Sequence, residues 1–379
     1  MSYLTYNTRT VPTGLRKLLY LNWGLIVLIC AVACVGFLML YSLAGGSAHP
    51  WMKPQVERFA AGVILMVGIA MVPIWFWRNL SAMAYLVSLC LLIGVEITGF
   101  SGGGAQRWID LGFMQLQPSE LMKISLIMLL AAYYDWLPSR KTSHPIWVAV
   151  PLVLIAMPVV LVLVQPDLGT SLLLLIGGAA MMFFAGVHWA YFTTAAVAGV
   201  GTVTAALQSR DTPWQLLKDY QYRRIDIFLD PTADPLGSGY NITQAKIALG
   251  SGGWSGKGFM QGTQTRLNFL PEKHTDFIFT AVAEQFGFVG TASLLLMYTM
   301  IIIFCMVSAI ANRDRYASLL TLGIAMAFFL YFAINMAMVM GLVPVVGVPL
   351  PLVSYGGTAM LVLMMAFGLV QSAHVHRPR

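Results

Sequence analysis

Residues 270–279 read LPEKHTDFIF. Glu272, Lys273, His274 and Asp276 stand at the mouth of a run that stays apolar to about residue 310. A helix needs about 20 apolar residues to cross a bilayer, so the run from 276 is long enough to span. The stretch therefore puts a carboxylate where hydrocarbon begins. An ionisable group inside a span costs a few kcal/mol or more, so it reads as functional by default. Two roles fit Asp276: a cap for the helix that follows Pro271, or a general base. Partial desolvation at the interface would raise its pKa, and Lys273 and His274 would lower it again.

Outward from this stretch the same pattern recurs. The chain has 379 residues, 58% hydrophobic and 10% charged, against roughly 25% charged in soluble proteins. That deficit excludes a water-solvated core. Ten segments read as spans: 21–43, 55–77, 79–98, 118–136, 146–164, 168–187, 190–207, 276–310, 316–341 and 353–373. The expected fold is an all-α polytopic membrane protein of ten helices. A tail at 1–20 precedes a single membrane domain at 21–375, and no cleavable signal is expected. With both termini cytoplasmic, Arg9, Arg16, Lys17, Arg78, Arg140, Lys141, Arg313, Arg315, Arg377 and Arg379 all fall inside, as the bias of basic residues requires. The net charge of +7 then reflects membrane topology and a basic outer loop, not nucleic acid. The four cysteines lie in apolar runs and read as packing residues.

Between the seventh and eighth spans, residues 208–275 form a long outer loop. With Asp276 it carries eight Lys or Arg and seven Asp or Glu. Its aromatic residues, Trp214, Tyr220, Tyr222, Phe228, Tyr240, Trp254 and Phe259, predict short helices at the outer interface. The spans show no inverted repeat of the kind that marks many transporters.

Other charges lie at membrane depth. Glu120 and Lys123 share a helix face, either as a structural pair or with Lys123 turned to an anionic substrate. Asp167 in QPDLGT suits a helix cap, and Glu284 an interior hydrogen-bonding group. The glycine-rich stretch 250–264, GSGGWSGKGFMQGTQ, fails as a nucleotide loop, because Ser251 and Gly258 stand where Gly and Ser or Thr are needed. It is either a tight loop or a place where backbone amides meet phosphate or sugar beside Lys257. In SGGGAQRWIDLG, 101–112, Arg107 suits pyrophosphate and Trp108 suits sugar, or Trp108 anchors the interface. Residues 341–357, GLVPVVGVPLPLVSYGG, hold three prolines and cannot form a regular helix. Such backbone lines a cavity or is buried in protein, and Ser354 and Tyr355 offer hydroxyls there.

Taken in order, AQRWIDLG, QPSELMK, QPDLGT, DPLGSGYNITQAKIALGSGG, LPEKHTDFIF and PLPLVSYGG resemble the SEDS family (shape, elongation, division and sporulation) from about residue 20 to 375. The 262–279 and 342–360 stretches look closest to its elongation branch. The resemblance implies a ten-span peptidoglycan glycosyltransferase of the bacterial inner membrane. It would polymerise lipid II into β-1,4 glycan on the periplasmic face and release undecaprenyl pyrophosphate. The family's catalytic Asp falls on Asp276 and its Glu-Lys pair on Glu120 and Lys123. Arg107, Lys123, Arg223 and Lys246 are then candidates for the leaving group, with Trp108, Lys257, His274, Ser354 and Tyr355 as further substrate contacts. The resemblance also implies a loosely held divalent cation, Mg or Mn, with no nucleotide. Its implied partners are a class B penicillin-binding protein transpeptidase and other membrane proteins of the elongation complex. A lipid II flippase and a non-catalytic scaffold are the alternatives.

Overall fold

A computed structural model describes residues 14–98, 100–102, 105–110, 112, 115–210, 212–216, 219–230, 237–267, 269 and 272–377. Arg9, Pro271 and Arg379 lie outside these. Ten long helices stand where ten apolar segments were expected. They are α1 (Trp23–Leu43), α2 (Met52–Met71), α3 (Ile74–Thr98), α4 (Pro118–Trp136), α5 (Pro145–Val164), α6 (Leu168–Phe184) and α7 (Trp189–Gln208), then α11 (Ile278–Ile310), α12 (Arg315–Val339) and α13 (Gly357–Val375). Eight are long and apolar enough to cross a membrane. The other two are α6, at 17 residues, and α4, which carries Glu120, Lys123 and Asp135.

The loop expected at 208–275 holds three short helices, α8 (Asp219–Leu229), α9 (Ser238–Ser251) and α10 (Thr263–Arg266). Between α3 and α4 lie three antiparallel strands in the order β1 (Phe100–Gly102), β2 (Ala105–Asp110) and β3 (Gln115–Leu116). Residues 14–20 of the expected tail form a 3-10 helix, and Lys17 Nζ donates to Met71 O at 2.7 Å.

Local chemistry sets the helix ends. The second span was expected at 55–77, but α2 stops at Met71 and Val72 turns extended, with ψ 133°. Pro73 follows, and a residue before proline is pushed out of the helical region. Arg78 consequently sits within α3, where it pairs with Asp135 of α4 at 2.8 Å. Asn22, Asp167 and Asp314 cap α1, α6 and α12 with side-chain oxygens, supplying acceptors for otherwise orphaned amides. Pro118 and Pro145 open α4 and α5, where a missing N–H costs nothing.

The core lies among α1, α2, α4, α11, α12 and α13, and α13 is the most enclosed of the apolar helices. At the other extreme, α7 buries only Ala206. Val197, Val200 and Val203 are exposed along it, a surface that suits lipid. The proline-rich segment 341–357 has no regular element before α13 begins at Gly357, as expected. It is packed inside the protein, where Val348, Leu350, Leu352, Val353 and Ser354 are all buried.

Candidate active site

The chain just before α11 makes a turn at His274, Thr275 and Asp276, and each of its three carbonyls is held by a donor from elsewhere. Tyr355 N reaches His274 O at 2.9 Å. Ser354 Oγ reaches Thr275 O at 2.6 Å. Asn335 Nδ2, on α12, reaches Asp276 O at 2.8 Å. The turn thus cannot drift from the 341–357 segment without breaking hydrogen bonds.

The Asp276 carboxylate is treated differently from its backbone. The residue is half-buried, and no hydrogen bond to its side chain is made among the described residues. Gly347, with φ +66°, lies against it: a Cβ built there would come 3.5 Å from Oδ2. The positive backbone angle favours glycine at 347, while a Cβ there would make only ordinary contact with the carboxylate. Burial pushes the Asp276 carboxyl up to about 6, and the nearby Glu272 and Asp167 carboxylates add to the rise. The expected lowering by Lys273 and His274 is not found. Lys273 is buried and donates to Thr265 O at 2.9 Å, so its charge is engaged elsewhere. Burial also lowers the pKa of His274, which favours a neutral ring.

His274 is the centre of a stack. Its ring lies on Trp51 at 4.7 Å and 16°, and Tyr355 is 6.0 Å away on a tilted plane. The Arg58 guanidinium sits over Tyr355 at 5.1 Å. Gln55, buried on α2, donates to Ser354 O at 2.9 Å and accepts from Gly356 N at 3.3 Å. The N-terminal end of α2 therefore frames the same turn.

Glu120 and Lys123 do pair, at 2.7 Å, and both are buried. Tyr331 of α12 completes the group. Its hydroxyl donates to the other Glu120 oxygen at 2.7 Å, and Lys123 Nζ lies 4.4 Å from the centre of its ring. All three line a cleft enclosing about 660 Å³ of space, part of it open, between α4, α12 and α13. Pro349, Leu352 and Ser354 form another wall of this cleft, so Lys123 and the segment that holds Asp276 share one largely apolar crevice. Asp276 itself does not line it.

The remaining candidates are used in other ways. Arg107 donates from Nε to Gln165 O at 3.0 Å and from Nη2 to Pro166 O at 2.6 Å, and lies 3.8 Å from Asp167. It braces the break between α5 and α6. Trp108 is half-buried on β2, beside Phe100 of β1. Ser354 is buried, and its hydroxyl donates to Thr275 O and accepts from Leu350 N. Lys246 is exposed on α9, its side chain lying over Gly341. Arg223 is exposed on α8.

Lys257 has partners within the chain. α11 is broken at Gly287, with φ 63° and ψ −157°, and the glycine-rich loop closes over that break. Lys257 N and Gly258 N donate to the Glu284 and Gln285 carbonyls, each at 3.0 Å, and Phe288 N and Val289 N donate back to Gly253 O and Trp254 O. A Cβ at Gly287 would strike Gly256 N. The Lys257 and Gly258 amides are engaged in this pairing. Lys257 Nζ meets Glu284 at 2.9 Å.

Among the described residues no three His, Cys, Asp or Glu side chains converge to hold a metal. A hard cation that keeps its waters needs only one or two carboxylates together with phosphate oxygens. Asp276 and Glu272 are the carboxylates that fit such a shared site.

Comparison with known proteins decides what kind of site this is. Residues 17–379 match the FtsW/RodA/SpoVE family, described as cell cycle proteins. The chain belongs to this family, the SEDS proteins. It is 39% identical to the peptidoglycan glycosyltransferase MrdB of Escherichia coli K12, over 94% of each chain. It is 31% identical to stage V sporulation protein E of Bacillus subtilis, over 91% of this chain and 94% of the other. Among solved structures, it matches a peptidoglycan synthase complex that coordinates polymerization and crosslinking, with a TM-score of 0.78, 30% identity, and coverage of 93% of this chain and 97% of that one. It also matches the rod shape determining protein RodA of Thermus thermophilus, with a TM-score of 0.70, 28% identity, and coverage of 94% and 97%.

Residue types alone did not pick out Asn335, Tyr331, Trp51, Gln55 and Arg58. Asn335 had a readable signal, since it is a lone amide in the apolar run of α12. The others sit at helix ends or beside aromatic residues, where their partners depend on tertiary packing.

Proposed function

We propose that this SEDS protein is a peptidoglycan glycosyltransferase that joins lipid-linked disaccharide-pentapeptides, lipid II, into β-1,4 glycan during cell elongation. The family membership and the MrdB likeness support the activity. The observation that carries the residue assignment is the Asp276 turn: three pinned carbonyls beneath a carboxylate that receives no hydrogen bond. A base must keep its lone pairs free while its position is fixed. A pKa of about 6 leaves Asp276 ionised at neutral pH and basic enough to take a proton.

In this reading ten helices cross the inner membrane as one domain, 21–375, with both termini cytoplasmic and the Asp276 turn at the periplasmic boundary. Asp276 takes the proton of the acceptor's C4 hydroxyl. The oxygen attacks C1 of the donor in line with the departing undecaprenyl pyrophosphate, so the anomeric centre inverts. The leaving group has a low pKa and calls for cations, not a proton donor. Lys123, facing the shared cleft, and Arg58, over Tyr355, are the cations this reading assigns to that task. The apolar wall of the cleft suits a polyprenyl tail. A divalent cation held between a carboxylate and the substrate pyrophosphate would add to that neutralisation. A class B penicillin-binding protein is the proposed crosslinking partner, alongside other elongation-complex proteins, and the likeness to a synthase complex supports this.

The test is the purified protein in liposomes with lipid II, with and without Mg or Mn and the partner, measuring glycan and released undecaprenyl pyrophosphate. Wild type should polymerise and Asp276→Ala should not. Normal glycan from Asp276→Ala would end the base assignment. Lipid II crossing the bilayer with no glycan formed would make the protein a flippase. Cell elongation that survives Asp276→Ala would make it a scaffold.

A further inference from the structure

Asn335 lies on α12 with none of its surface exposed. Its Nδ2 donates to two carbonyls from different parts of the chain, Asp276 O at 2.8 Å and Val348 O at 2.7 Å. These are the two backbone positions that flank the Asp276 carboxylate: one is the residue's own carbonyl, the other belongs to the neighbour of Gly347, which lies against Oδ2. Both N–H groups of the amide are thereby engaged. A flipped amide would point an oxygen at two carbonyl oxygens, so the orientation is fixed by the partners. Asn335 Oδ1 is buried with no hydrogen-bond partner. An orphaned buried acceptor is a net cost that an apolar side chain would not carry, so the amide is kept for the two carbonyls it serves. Simple packing therefore does not account for an amide at this position.

We infer that Asn335 is a positioning residue for the polymerisation reaction, holding the Asp276 turn and the Gly347–Val348 backbone in register so that the carboxylate meets the acceptor hydroxyl. The inference rests on Asp276 being the base. Asn335 does not touch the reacting atoms. It acts through the backbone of the residue that does, and it ties that residue to α12. Ser354 and Tyr355 hold the two preceding carbonyls, but both belong to the 341–357 segment itself. Asn335 alone among these donors anchors the turn and that segment together to a regular helix.

Misplacing a catalytic group by about 1 Å can cost on the order of 100-fold in rate. A positioning role therefore predicts a loss in kcat with KM for lipid II nearly unchanged, since the substrate-binding surfaces stay in place. The experiment compares wild type, Asn335→Leu, Asn335→His and Asp276→Ala in the same liposomes, with thermal unfolding measured on each. Leucine keeps the volume and removes both donors; histidine retains an N–H. The expected result is a kcat for Asn335→Leu lower by about 10- to 100-fold, KM within about twofold, and partial recovery in Asn335→His. If Asn335→Leu does not fold, Asn335→Ala against Asn335→His carries the same comparison. Equal kcat in the donor-free and donor-retaining variants overturns the inference, as does a loss that falls mainly on KM. Full activity in Asp276→Ala would instead overturn the base assignment, a separate outcome.

Discussion

Asp276 and Glu284 are two carboxylates eight residues apart at the same end of α11, and the fold uses them in opposite ways. Glu284 is fully buried. It takes the Lys257 ammonium at 2.9 Å, the hydroxyls of Thr263 and Thr265, and the amides of Gln264 and Thr265 that open α10. Asp276 is half-buried and takes none. For Asp276 the hydrogen bonds go to the backbone beneath it. A saturated carboxylate is held in its charged form and cannot accept a proton readily. A bare one on a fixed backbone can. The first organises the outer loop, and the second is left available for chemistry.

The sharpest way to break this contrast is to remove each acid in turn. Asp276→Ala should lose about 100- to 10,000-fold in lipid II polymerisation with no fall in its unfolding temperature below wild type. If the glycan yield is normal, the contrast carries no catalytic meaning. Glu284→Ala should do the reverse. It leaves the α10 amides unsatisfied and half-buried Lys257 without its carboxylate, at a cost of about 1–3 kcal/mol, read as a lower unfolding temperature in detergent. Whatever activity it loses should follow the unfolded fraction. An unchanged unfolding temperature would show that Glu284 does not hold the loop.

Glu120 and Lys123 stand between these extremes. They are paired and buried like Glu284, yet they line the cleft shared with the Asp276 segment. Lys123→Met should destabilise by about 3 kcal/mol, because Glu120 keeps only Tyr331, and should reduce polymerisation. Adding Glu120→Gln removes the stranded charge and should restore stability and part of the activity. A double variant as inactive as the single one, though equally well folded as wild type, would mean that Lys123 touches substrate directly.

The helices were legible in the sequence because a bilayer imposes length and apolarity together, and few other environments do. The end of α2 was misplaced by several residues because a run of apolar side chains hides a break, and only Pro73 marks it. Asp276 was legible as a charge at the edge of hydrocarbon. Its freedom from partners was not, since that depends on Lys273 turning to Thr265. Which of its two readings the glycine-rich loop would follow was not legible for a related reason. Its amides pair with a break at Gly287 that lies within an apolar helix, where one glycine gives little warning. Asn335 was overlooked because attention to ionisable groups passes over a neutral amide, although a buried amide in a span also needs partners.

The smallest predicted effect turns the bare carboxylate into a stability measurement. A carboxyl raised from 3.8 to about 6 on folding resists ionisation in the native state. It costs nothing below about pH 4, where it is protonated in both states, and its full cost is present above about pH 6. At about 1.4 kcal/mol per unit, that cost is roughly 2–3 kcal/mol. Asp276→Asn removes it, so the variant should unfold at a higher temperature than wild type at pH 7.5, and the gap should close as pH falls to about 4. The activity of wild type should fall over the same range, losing its base below about pH 6. Glu284→Gln offers the control: it should destabilise at neutral pH, opposite in sign to Asp276→Asn. If both substitutions shift unfolding in the same direction at pH 7.5, the two carboxylates are not divided between chemistry and structure, and Asp276 is another structural acid.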